Sequence, residues 1–410
     1  MQVVILAAGK SSRFFPLGDK DIKDMLPIMS KPILEHVILS VKKAGFKEII
    51  LVVSPASKVE NYFDSGKKWG VNIKYAEQKQ PLGQANAILS ARNLLKEEKF
   101  FVINSQHVNF DQFCKEMDNL QSQKKTDLTF LGKKVRDPSK FGMYKLENTK
   151  VVGFVEKPKT WTPKQKIRLV GIYFLNQEFL HFLAKQPTEE YQLEVAIDKY
   201  VKNHNCYVLI TKKSCLTLKY PWDLFKIKDF LLHEEKPRIS KSARIEKTVV
   251  IEGNVIIEDG ARIYHYATIL GPCYIGKNAS VGSYCQIRDG TVLEEGVEIQ
   301  RFADVKNSLV GKNTHLHSGF LGDSILAEDI HIGANFTSAN LRLDRGEISS
   351  EVKGEKVKTG LKNFGTVIGH STKIGINVAT MPGKFIGSNC LIGPSQNISK
   401  NILSNTSLLK

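Results

Sequence analysis

IEKTVV IEGNVI IEDGAR IYHYAT ILGPCY I, residues 245 to 275, places an isoleucine at every sixth position. A helix needs a period near 3.6 and a half-buried strand a period of two, so neither explains this spacing. Hexapeptide repeats coiled into a β-helix do: each repeat turns one aliphatic side chain inward, and stacked coils bury what no single repeat could. The register begins at Ile239, continues through Val281, Ile287, Leu293 and Ile299, and returns as Ile368, Ile374, Ile386, Ile392 and Ile398. Several of the later members are followed by glycine (Gly369, Gly375, Gly387, Gly393). From about 341 to 365 the repeat lapses into a polar, Lys/Glu-rich stretch, read as a loop extruded from the coils. Residues 237–400 are therefore expected to form one domain.

Upstream of Pro237 the pattern is different. Val3 to Leu6, Ile49 to Val53, Ile73 to Ala76 and Phe100 to Ile103 read as buried strands. Ile33 to Lys43, ending at Gly45, and Ala85 to Leu95 have helical spacing. Strands alternating with helices imply βαβ units, a mainly parallel sheet and an α/β Rossmann-like domain over residues 1–233. In such sheets ligands bind beyond the carboxyl ends of the strands, which is where the loop from Ala7 to Asp19 falls. A chain of 410 residues is also too long for one ordinary core.

Composition narrows the partners. The net charge of +17 comes from lysines spread along the whole chain, without an arginine-rich tract or interleaved aromatics. That is the pattern of a solvated basic surface, so nucleic acid is not an expected partner, whereas phosphorylated small molecules are compatible. No stretch is long enough to span a bilayer, and the apolar Met1 to Ala8 is too short for a secretion signal. Six well-separated cysteines without a CxxC pair suit free thiols in a cytoplasmic setting rather than a zinc site.

The loop after the first strand reads Leu6-Ala7-Ala8-Gly9-Lys10-Ser11-Ser12-Arg13, with Lys23, Leu26-Pro27-Ile28 and Lys31-Pro32-Ile33 beyond it. Small residues let backbone N–H groups approach a phosphate, and Arg13 and Lys23 would supply countercharge. With Glu77-Gln78, Pro81-Leu82-Gly83, Phe141-Gly142, Glu156-Lys157-Pro158, Gly171-Ile172-Tyr173 and Tyr220-Pro221-Trp222-Asp223-Leu224, this series resembles the signature of the sugar-1-phosphate nucleotidylyltransferases, in order from residue 1 to about 233. The resemblance implies that Leu6, Ala8, Gly9, Gln78 and Gly83 hold base and ribose. It puts Arg13 and Lys23 on the triphosphate, and Gly142, Glu156 and Lys157 against a sugar phosphate. The implied reaction is attack of the sugar phosphate on the α-phosphorus of a nucleoside triphosphate, releasing pyrophosphate.

Several positions depart from that signature. Gln106 and Thr217 stand where the family carries the two aspartates that bind Mg²⁺. Ser11 replaces a usual glycine, Gln84 a threonine, and Leu169 a sugar-binding asparagine. Each missing carboxylate about 4 Å from a cation forfeits on the order of 4 kcal/mol at an effective dielectric of about 20. A nucleotide-shaped site with weakened turnover is the expectation.

Within the repeats, His315-Leu316-His317-Ser318-Gly319-Phe320-Leu321-Gly322-Asp323-Ser324 interrupts the register, and Ala339-Asn340 follows further on. This part resembles the acetyltransferase half of bifunctional N-acetylglucosamine-1-phosphate uridylyltransferases, which implies a left-handed β-helix. By that resemblance His317 is the general base toward acetyl-CoA and an amino sugar, and Asn340 has a supporting polar role. Gly319 and Gly322 would leave room for substrate. Phe320 stands at a family tyrosine and His331 at a family asparagine. The resemblance further implies a homotrimer with the acyl-donor cleft between neighbouring subunits. Three readings stay open: a bifunctional enzyme, a non-catalytic regulatory or scaffold paralogue that binds sugar nucleotides, and an acyltransferase alone.

Overall fold

The computed structural model describes residues 1–20, 22–55, 57–189 and 191–409. By its internal contacts the chain divides into two units, one comprising Met1–Lys10 and Ile33–Leu216, the other Ser11–Pro32 and Thr217–Lys410. The grouping departs from a simple cut near residue 233. Both the segment from 11 to 32 and the helix that precedes the repeats group with the coils.

The first unit is built on one nine-stranded sheet. Its strands are β1 (Gln2–Leu6), β2 (Glu48–Val53), β3 (Asn72–Glu77), β4 (Lys99–Asn104), β5 (Leu128–Lys134), β6 (Gly142–Glu147), β7 (Lys150–Glu156), β8 (Ile167–Asn176) and β9 (Cys206–Thr211). Their order is β3-β2-β1-β4-β8-β5-β9-β7-β6. Strands β3, β2, β1 and β4 are parallel, with Val3, Val4 and Ile5 wholly buried. Helix α1 (Ile33–Lys43) has the expected limits, since Ile33, Leu34, Val37, Ile38 and Val41 recur on one face and are all buried. It ends at Gly45, whose φ of 96° suits a residue without a side chain. The second expected helix is shorter: α2 covers Gln84–Ser90, and a separate 3₁₀ turn covers Arg92–Leu94.

The sheet is mixed rather than mainly parallel. β8 runs antiparallel to both β4 and β5, and β6 and β7 form an antiparallel pair. β6 and β7 pair antiparallel because only Asn148 and Thr149 join them, whereas β8 is a strand inserted between β4 and β5 and runs against both. The β1/β4 junction, where β2 and β3 lie to one side and the remaining strands to the other, is the topological switch point.

The repeats of the second unit form three parallel sheets in which, the inserted hairpin and the last coil aside, each strand pairs with the third strand after it, the connectivity of a three-sided β-helix. Ile257 sits beside Ile275, Ile263 beside Val281 and Ile269 beside Ile287, all buried, so three hexads make one coil. Beyond Ile299 the coils shorten: Val310 pairs with Leu326 and Leu316 with Ile332. Sixteen-residue coils, not a loss of structure, are why the six-residue period fades there. The first coil has no coil before it, and Ile239 remains 51% exposed. The inserted stretch is more ordered than an extruded loop: Ser349–Val352 and Glu355–Lys358 form a hairpin, and Ile348 and Phe364 are buried. A helix, α3 (Asp223–Glu234), buries Lys228 completely, and the Lys228 ammonium donates to the Gly290 carbonyl, Asn307 and Asp229.

Candidate functional site

In the first unit, the carboxyl end of β1 delivers Leu6, Ala7, Ala8 and Gly9. Ala7 N–H donates to the Val52 carbonyl at 2.8 Å, and Ala8 is buried. Gly9 is exposed, its φ lies outside the left-handed region, and a Cβ built on it would meet nothing within 4 Å. The fold itself therefore gives no steric reason for glycine at this position. From β3 and the turn after it come Gln78 and Gly83. The Gln78 amide donates to the Gly83 carbonyl and to Asn86 Oδ1, each at 3.0 Å, which pins the turn and commits both amide hydrogens. Gly83 has a φ of 97°, so its place in that turn does depend on being glycine.

The end of β4 carries Asn104, Ser105, Gln106 and His107. Tyr173 donates from its hydroxyl to Gln84 Oε1 at 3.2 Å, and Gln84 Nε2 donates to Asn104 Oδ1 at 2.9 Å. Gly171 is bare because the Asn104 amide fills the space, 2.0 Å from where its Cβ would stand. This chain contains no charged side chain. Burial, reinforced by the nearby Arg168 guanidinium, pushes the His107 imidazole down to about 3, so it is neutral at physiological pH.

Gly142, Glu156 and Lys157 come together on the β6–β7 pair. Gly142 sits opposite Glu156, and a side chain on it would run into the Phe154 ring and the Glu156 carboxylate. Lys157 Nζ donates to Tyr191 Oη at 3.2 Å and lies 3.5 Å from Glu156; the Tyr191 bond raises its proton affinity. Glu156, Lys157 and Tyr191 line a cavity of about 580 Å³ with Glu194 and Asp198; Gly142 is not part of its lining. Glu194 was missed in the sequence. Burial, with the Glu156 charge adding to it, raises its carboxyl to about 7. The signal was available, since Glu194 and Asp198 are four apart on the helix Gln192–Tyr200 and so share a face.

Arg13, Lys23 and Thr217 belong to the second unit. Arg13 is exposed, and Lys23 Nζ donates to the Leu218 carbonyl at 2.9 Å. Thr217 donates from its hydroxyl to Asp223 Oδ1 at 3.0 Å, while Asp223 Oδ2 accepts from the Lys219 and Tyr220 amides. Among the described residues no cluster of three or more His, Cys, Asp or Glu could hold a metal ion. An amide at Gln106 and an engaged hydroxyl at Thr217 are a poor donor set for a hard divalent cation, which favours anionic oxygen.

On the coils, His317 lies in a groove of about 1030 Å³ lined by Arg262, Tyr264, Glu298, Arg301 and Phe302. Its ring is exposed and has no hydrogen-bond partner among the described residues. The neighbouring His315 is partly buried, which lowers its imidazole below the usual range, and its ring lies 6.1 Å from that of His331. Asn340 is not beside His317. It donates to Asp323 at 2.6 Å, past the far end of the strand Gly319–Gly322, which is about 13 Å long at the usual rise. Nor do the two glycines leave room for a substrate. A side chain on Gly319 would strike the Phe336 backbone, and the space above Gly322 holds the Phe320 ring and the Asn340 amide. Close coil packing is what requires them.

The family described as Nucleotidyl transferase matches residues 2–231, and that described as GMPPB C-terminal domain matches residues 251–358. Bifunctional protein GlmU of Methanococcus vannielii is 33% identical over 98% of this chain and 96% of its own length. The bifunctional sugar-1-phosphate nucleotidylyltransferase/acetyltransferase of Sulfurisphaera tokodaii is 31% identical over 98% of each chain. Among solved structures, an apo UDP-glucose pyrophosphorylase superposes with a TM-score of 0.50 at 22% identity, covering 57% of this chain and 98% of that one, a likeness of fold. No helix among the described residues is long and apolar enough to cross a membrane. The chain belongs to the nucleotidyl transferase family, and over its full length it is a relative of the bifunctional GlmU proteins.

Proposed function

We propose that this protein is a sugar-1-phosphate nucleotidylyltransferase-type enzyme with weakened turnover, fused to an amino-sugar acetyltransferase-like left-handed β-helix. Gly9 carries the first half of the proposal. It lies at the carboxyl end of β1, at the switch point, with open space above it and no internal need for glycine. Close approach of a ligand to the backbone supplies that need. Leu6, Ala8 and the Gln78–Gly83 turn then shape the base and ribose seat, and Arg13 and Lys23 bind phosphate. Glu156, Lys157 and Gly142, joined by Glu194, receive the sugar phosphate, whose oxygen attacks the α-phosphorus as pyrophosphate departs. Mg²⁺, when bound, would neutralise the phosphates; with Gln106 and Thr217 in place of carboxylates, that support is weak. The test is calorimetric titration with each ribonucleoside triphosphate. The parent should bind at least one, and Gly9→Ala should bind it at least tenfold less tightly without losing thermal stability. Equal affinity of the two proteins would refute the site.

For the β-helix, the groove around His317 supports acyl transfer from acetyl-CoA to an amino sugar, with Arg262 and Arg301 as countercharge for donor phosphates. Tyr266, Tyr284 and Phe302 form an exposed stack on three successive coils, with ring centroids 5.1 and 5.4 Å apart. All three have φ between 53° and 62°, a conformation costly for aromatic residues and one that other corners give to Asn or Asp. A covered aromatic stack favours a trimer, in which Asn340 would reach His317 from a neighbouring copy. The setting proposed is cytoplasmic. The uncharged Tyr173–Gln84–Asn104 chain equally favours a second reading, a non-catalytic sugar-nucleotide-binding paralogue.

A further inference from the structure

The segment 11–32, which carries Arg13 and Lys23, is fastened along the β-helix at sites on several different coils. Near its end, Ser30 N–H donates to Glu294 Oε2 at 2.7 Å, and Ser30 Oγ lies 2.9 Å from the Tyr274 hydroxyl. At the middle, the Lys20 ammonium meets the Glu328 carboxylate. Two and three coils further on, Asp19 accepts from Ser388 at 3.1 Å and from Ser404 at 2.5 Å. Between these polar anchors Leu17, Leu26 and Pro27 close over Leu309, Ile325 and Leu326, leaving a cavity of only about 40 Å³. Phe14 and Ile28 are buried as well. Within the segment, Lys23 N–H donates to Ser11 Oγ at 2.8 Å. A free loop of this length would lose conformational entropy whenever it closed on a ligand; here the coils have already ordered it.

We propose that Glu294, Glu328 and the Ser388/Ser404 pair of the β-helix are positioning residues for triphosphate binding, because they hold the segment that presents Arg13 and Lys23. None of them touches the nucleotide in this account. The repeats thereby acquire a second role, as the template on which the phosphate loop is set. The inference rests on the nucleotide reading above.

Asp19→Ala separates positioning from simple electrostatics. Removing an anion close in sequence to Arg13 and Lys23 should, by charge alone, tighten binding of a polyanion. Undocking predicts the opposite. The full-length parent, Asp19→Ala and Glu294→Ala are each titrated with ATP, CTP, GTP and UTP and with the matching nucleosides, and backbone hydrogen exchange is followed over residues 11–32. The expected result is faster exchange in that segment and at least tenfold weaker triphosphate binding, with nucleoside affinity unchanged because base and ribose are held elsewhere. Glu294→Gln, which keeps an oxygen to accept from Ser30, should restore parental binding. Should Glu294→Ala fail to fold, exposed Asp19 still provides the test. Triphosphate affinity equal to or tighter than the parent's in Asp19→Ala overturns the positioning role alone. A parent that binds no triphosphate overturns the nucleotide reading and this inference with it.

Discussion

Replacing Glu294 by glutamine should make the β-helix more stable at neutral pH, although it removes a charged group that accepts hydrogen bonds. Glu294 is 2% exposed, and burial raises its carboxyl from the usual 4.5 to about 7. Its Oε2 accepts from Ser30, but Oε1 has no partner among the described residues. The folded state therefore holds a proton that the unfolded chain has released between pH 4.5 and 7. Stability contributed by this group is complete below 4.5, declines as the pH rises toward 7, and is gone above it. At ~1.4 kcal/mol for each tenfold change in proton affinity, the loss is about 3 kcal/mol. Glutamine has the same shape and no charge to desolvate, so it should lack this dependence. The assay is urea unfolding in Trp69→Phe/Trp161→Phe backgrounds, leaving Trp222 to report on the second unit, at intervals from pH 4.5 to 8. The parent should lose about 3 kcal/mol more than Glu294→Gln over that range. Parallel pH profiles would show that the carboxyl is ionised at little cost, and the reasoning would fail.

Binding of glucose 1-phosphate should weaken as pH rises through 7, because ionised Glu194 would face the incoming phosphate; Glu194→Gln should flatten that dependence in a calorimetric pH series. Lys23→Ala should weaken triphosphate binding by about tenfold, the loss of one exchanged charge-assisted contact, whether or not turnover occurs. His317→Ala should abolish acetyl-CoA turnover with amino-sugar phosphates in a thiol-release assay, whereas His331→Ala should retain it; unchanged turnover in His317→Ala would remove it as the base. Light scattering at micromolar concentration should give a trimer, and Tyr284→Asp together with Phe302→Asp should shift it toward monomer.

The six-residue spacing from Ile239 to Ile299 made the β-helix readable, because its stacked coils keep inward aliphatics at one interval. Where the coils shorten to sixteen residues, between Val310 and Ile332, the same core persists without a period to read. The strands β1, β2 and β4 were legible because each is buried on both faces, and the edge strand β3 because Ile73 and Ala76 still turn inward. β8 was not recognisable as antiparallel, since pairing direction depends on connections rather than on the apolar run itself. Most of the proposed nucleotide and sugar positions were legible from resemblance, but their partners were not. That Asn104 explains Gly171 and that Asn340 donates to Asp323 rather than meeting His317 are packing facts between distant segments or coils, while the Gln78 bonds to Gly83 and Asn86 are local and depend on the path of the turn. Gly319 and Gly322 misled for the same reason: a glycine that opens space for substrate and one that admits a neighbouring coil look identical in sequence.

Pyrophosphate release in the parent, set beside Gln106→Asp/Thr217→Asp, tests the central claim that a nucleotide site persists here without the carboxylates that make it efficient. Each restored charge can contribute up to about a thousandfold at ~4 kcal/mol. Placing a carboxylate at 217 next to Asp223 should also lower the melting temperature of the double variant without Mg²⁺ and let millimolar Mg²⁺ recover it. Both proteins should bind triphosphate, the parent should release pyrophosphate slowly, and Mg²⁺-dependent release should be at least 100-fold faster in the double variant. Rapid release by the parent, or no gain in a double variant that still binds triphosphate, would contradict that claim.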